Sequence, residues 1–132
     1  MKKRLLSLFL VLAMVCAMSV SASAIVEEVG YSSNGTSGDA RCVAKLILSL
    51  YQAEALSSSG AVDASKFRTT VSFTYTDEMD QEATMSDSGY SVALVEPDDM
   101  KAVQSYVHAL SHHRLLGGIE WGSWSCTLSD SR

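Results

Sequence analysis

Positive charge is scarce in this chain. Its 132 residues hold 10 Lys and Arg against 15 Asp and Glu, a formal net charge of −5. Three of the ten, Lys2, Lys3 and Arg4, stand at the extreme N-terminus, so residues 25–132 carry 7 basic and 15 acidic side chains, net −8. That shortage argues against a nucleic-acid partner, which needs a basic face to displace counterions from phosphates. It argues equally against docking on an anionic membrane, where clustered Lys and Arg are required. A run long enough to span a bilayer is also missing: the apolar stretch from Leu5 to Met18 has 14 residues, against the ~20 a spanning helix needs. Absent too are the short motifs that carry common chemistries. There is no H-E-x-x-H, no C-x-x-C, no G-x-S-x-G, no phosphate-cradling glycine loop and no dinucleotide fingerprint.

What is present starts with an address. Residues 1–24 have a basic start, the apolar run just described, and the small-residue ending Ala22-Ser23-Ala24. This is the layout of a secretory signal peptide with cleavage after Ala24. The short Lys-rich start resembles bacterial export signals. Cys16 brings a lipoprotein signal to mind, but Val15 stands where a small residue belongs. The expectation is a secreted protein, or one held at the cell envelope, with no stable membrane insertion after cleavage. In a bacterium Asn34-Gly35-Thr36 reads as a turn rather than a glycan acceptor.

Removal of the leader leaves Cys42 and Cys126, 84 residues apart. In an oxidising compartment an even count of two reads first as one disulfide. Closing so long a loop is worth roughly 4–5 kcal/mol in the chain-entropy treatment.

The remaining 108 residues fit one domain, with 18 Ser and 7 Thr, as suits a secreted β protein. Residues 25–38 read as a flexible arm or edge strand, and residues 39–132 as a single domain. Phe67 to Thr76 alternates, with Phe67, Val71, Phe73 and Tyr75 on one face and Thr70, Ser72, Thr74 and Thr76 on the other. Asp77 to Asp80 then predicts a turn, and Gln81 to Ser88 a return strand with Ala83 and Met85 toward the core. Tyr90 to Val95 predicts a further strand. In the stretch Ile119 to Leu128, Trp124, Cys126 and Leu128 share a face.

Residues 39–57 and 98–116 fit two periods. As helices they would begin at Asp39 and Asp98; as strands they alternate apolar and polar. The secure strands need a second sheet to cover them, and turn signals recur at the spacing of a sandwich. The expected fold is therefore an all-β antiparallel sandwich, immunoglobulin-like in build; the alternative is α+β with helices near 39–57 and 98–116.

Three residue groups could carry chemistry. His108 and His112 lie four apart, close enough on a helix to share a metal ion but ~13 Å apart on a strand, where His113 would face the other way. The clusters Asp77, Glu78, Asp80, Glu82 and Glu96, Asp98, Asp99 could bind calcium, but Asp and Glu are also what solvated turns contain. Trp121 and Trp124 should divide between core and surface. The expectation is a secreted, non-catalytic binding or structural module with no cofactor and no metal, its partner an extracellular protein or the cell wall. The alternatives are an antimicrobial or inhibitory effector and a His108/His112 metal protein.

Overall fold

Among the described residues, nine strands in two antiparallel sheets account for most of the structure. The computed structural model describes residues 24–49, 52–97 and 105–131. The strands are β1 (Ala24–Tyr31), β2 (Ser33–Asn34), β3 (Arg41–Leu48), β4 (Ala53–Ser59), β5 (Phe67–Thr76), β6 (Glu82–Gly89), β7 (Val92–Val95), β8 (Ser105–Leu116) and β9 (Gly122–Ser131). Sheet I has the order β1-β3-β4-β7 and sheet II the order β2-β9-β8-β5-β6. The fold is an all-β sandwich. In sheet I, β4 enters as the hairpin partner of β3, and in sheet II β8 is flanked by β9 and β5.

The α+β alternative is overturned. Residues 41–48 and 53–59 are paired strands joined where Ser49 N–H donates to the Gln52 carbonyl. Ser105–Leu116 is a strand flanked on both sides, by β5 and β9. Helix propensity loses here because Cys42, Ala44, Leu46 and Leu48 bury completely only at a two-residue period against a facing sheet. Residues 1–23 of the expected leader, and residues 98–104 with Asp98 and Asp99, lie outside the described residues, whereas Ala24 is the first residue of β1.

Size complementarity fills the space between the sheets. Sheet I presents small side chains, Ala44, Ala53, Ala55 and Ala93, to the large Phe73 and Tyr75 of sheet II. Those two rings stack at 5.6 Å between centroids. Burying a ring such as Phe73 is worth ~2–3 kcal/mol. A second cluster, Ala40, Cys42, Val62, Phe67 and Leu115, closes the other end under Trp121 and Trp124, with Phe67 and Trp124 edge to face. Met85, expected in the core, is 37% exposed, because β6 is the outermost strand of sheet II and overhangs it.

Edges and corners are managed locally. Asp87 on β6 accepts a hydrogen bond from the Leu94 backbone N–H (3.1 Å), capping the outer edge of β7 with an inward carboxylate. Chain crossing from sheet I to sheet II occurs at Ser32, whose hydroxyl accepts from Ala40 N–H. The arm that follows is held by backbone bonds from Thr36 and Ser37 to Ile119 and Glu120 in a single helical turn, α1 (Gly118–Trp121).

Candidate functional site

A belt of polar side chains divides the core between its two apolar clusters. Along β5, Thr69 stands between Phe67 and Val71; along β8, Ser111 and His113 stand between Ala109 and Leu115. From sheet I, Ser57 on β4 reaches across. Its hydroxyl lies 2.8 Å from His113 Nδ1 and 2.8 Å from Thr69 Oγ1, while Ser111 Oγ lies 2.8 Å from His113 Nε2. A neutral imidazole donates with one nitrogen and accepts with the other, so the chain of bonds is complete in either tautomer. The backbone of Ser57 is bound as well, its N–H to the Ser91 carbonyl and its C=O by the Ser91 hydroxyl.

Burial, with a smaller contribution from the neighbouring His112, lowers the His113 pKa to about 4. The ring is therefore neutral at physiological pH. Ser57 and His113 have the spacing of a nucleophile and its base, but each is 1% exposed, and Ser111 rather than a carboxylate occupies the far ring nitrogen. Nothing in the sequence singled this group out; β4, β5 and β8 bring it together.

Cys42 and Cys126 correct the disulfide expectation, since both are buried free thiols. They belong to different apolar clusters, and Cys42 Sγ donates to the Ala40 carbonyl. Burial raises both pKa values; for Cys126, burial together with the Glu28 carboxylate takes it to about 11. A thiol held protonated is a poor partner in disulfide exchange. Reductant is therefore expected to leave the melting temperature unchanged, and a fall on reduction would reinstate the cross-link.

His108 and His112 stand on β8, ~13 Å apart along the strand, so the geometry needed for one shared ion is lost. His112 faces out and meets Thr127 Oγ1 at 3.0 Å, while His113 faces in. Among the described residues no group of three His, Cys, Asp or Glu could hold a metal ion. In the first acidic cluster, Asp77 Oδ1 accepts from Met79 and Gln81 N–H, and Asp80 takes a positive φ of 56°. These acids build the β5–β6 turn. Trp121 and Trp124 are both half-buried, the former in α1 and the latter on β9.

The outer faces differ sharply. That of sheet I mixes the aliphatic Ile25, Val29, Ile47, Leu56, Val92 and Leu94 with the Lys45–Glu27 ion pair (3.0 Å) and Glu54. Hydroxyls cover that of sheet II, where Ser72 pairs with Ser86 and Thr74 with Thr84, each at 2.9 Å. At one end of this hydroxyl face Ser125, Arg114 and Arg68 lie side by side on β9, β8 and β5. Arg68 stacks on Tyr90, its guanidinium carbon 4.1 Å from the ring centroid. Beyond Ser125, Tyr31, Ser33 and Ser123 line a surface depression with Arg114 and Trp124. The pairing of Arg68 with Arg114 depends on register between strands 46 positions apart, which no local pattern reveals. No known protein family, curated protein or solved structure matches this chain.

Proposed function

We propose that this is an exported, non-catalytic binding module that works outside the cell or at its envelope. One contrast carries the reading. The side chains with catalytic spacing, Ser57 and His113, are sealed between the sheets, whereas the arginines and hydroxyls suited to recognition are on the open face of sheet II, with Tyr90 against Arg68 and Tyr31 of β1 at the edge beside Arg114. The signal-like residues 1–24 support export. A flat sheet face suits an extended partner better than a small enclosed ligand, which calls for a concave pocket.

Two measurements test this. N-terminal sequencing of protein recovered outside the producing cells is expected to begin at Ile25; retention of the chain inside the cells would overturn export. Co-sedimentation with insoluble envelope material is expected without release of soluble fragments. Fragment release that disappears in a Ser57→Ala variant would make the protein an enzyme.

A further inference from the structure

We infer that the Arg68–Arg114 end of sheet II is a binding site for an extended acidic polysaccharide, with the arginines holding its oxyanions and the flanking tyrosines its sugar faces. This rests on the binding-module reading and gives it a ligand class. Arg68 and Arg114 are directly opposed on neighbouring strands, and both are exposed. Like charges so placed repel. Among the described residues no carboxylate lies within ion-pair distance of either arginine, although residues 25–132 contain 15 acids. Two cations thus stand side by side on the surface of an acidic protein without an ion-pair partner among the described residues, and a ligand can supply that counter-charge.

The surroundings define that ligand. The Arg68 guanidinium sits over the Tyr90 ring, and Arg68 itself is exposed. Tyr90 and Tyr31, 55% and 63% exposed, stand near the two ends of the row. Exposed rings stack on the apolar faces of sugars, and the Ser33, Ser123 and Ser125 hydroxyls beside Arg114 are suited to their hydroxyl groups. Guanidinium groups take carboxylate or sulfate oxygens in paired hydrogen bonds. The side chains of opposed residues start ~5 Å apart, which asks for oxyanions repeated along a chain rather than one small anion. Nucleic acid fits poorly, since its dense phosphates demand many more cations than two and are repelled by the net −8 of residues 25–132.

The test uses the purified protein with three polymers: polygalacturonate for carboxylates, dextran sulfate for sulfates, and neutral dextran. Calorimetric titration is expected to show binding to one or both acidic polymers, weakening with added salt, and none to dextran. Whichever binds identifies the oxyanion. Arg114→Gln is expected to weaken binding about tenfold or more, with a melting temperature unchanged or raised because a like-charge contact is gone. A structural arginine would lower it. Tyr31→Ala is expected to weaken binding without abolishing it. Equal binding to dextran, unaltered binding by Arg68→Gln/Arg114→Gln, or preference for single-stranded DNA would overturn the site. Failure to bind any polymer would also overturn it, and the envelope sedimentation experiment would then decide the binding-module reading separately.

Discussion

Replacement of His113 by alanine is expected to destabilise the fold by about 3–5 kcal/mol, from a cavity and from hydroxyls stripped of their partner. Ser57 and Ser111 each lose a 2.8 Å hydrogen bond in a site where the ring is 1% exposed. Against a usual total of about 5–15 kcal/mol, this is a large fraction. Chemical denaturation measures it directly. The triple variant Ser57→Ala/Ser111→Ala/His113→Leu should recover part of the loss, because leucine refills the cavity and only the Thr69 hydroxyl is left without its partner.

His113 also sets a pH dependence with a definite sign. Its folded pKa of about 4 lies below the usual value of 6.5, so the unfolded chain binds the proton more readily than the folded one. Stability from this group is complete above pH 6.5 and falls as the pH drops from 6.5 to about 4. Over that window the loss amounts to roughly 3 kcal/mol. The Cys126 thiol, its cross-strand neighbour, stays protonated throughout with a pKa of about 11. Melting curves across this range should show the fall in the parent and lose it in the triple variant. A parent that is equally stable at both ends would refute the buried neutral imidazole.

Gly122→Ala is the second large effect, at about 3 kcal/mol or more. Gly122 adopts φ 71° and ψ −139°, a conformation L side chains avoid. Its missing Cβ would also fall on the Ser33 carbonyl, where β2 pairs with β9. The substitution is expected to lower the melting temperature and to open residues 33–40 to protease, since the docking of this arm on α1 depends on the same corner. An alanine variant with unchanged melting and cleavage would show that the corner yields.

Much of the fold was legible because period-two alternation is a local property. Phe67 to Thr76 declares its two faces without reference to any partner, and the structure retains them residue for residue. The hairpin with β6 followed from Asp77, whose carboxylate organises the turn within its own neighbourhood. Legibility ended where the outcome depended on a facing layer. Residues 39–57 satisfy helical and strand periods alike, and only a sheet to cover them decides between the two. Met85 fits the alternation yet stays partly exposed, because sheet width rather than sequence sets where the core ends. The cysteines were paired by count and compartment, but side-chain placement in separate clusters leaves them as thiols.

For the candidate site the division is sharper. Composition alone established the acidic balance, the leader-like N-terminus, the wealth of hydroxyls and the lack of familiar catalytic motifs. The tertiary structure decided which side chains meet: Ser57 with His113 across 56 positions, and Arg68 with Arg114 across 46. Both pairings follow from strand register, which is fixed by burying one face of each strand against the opposite sheet. Local sequence specifies which face a residue takes; only the closed sandwich specifies its neighbour.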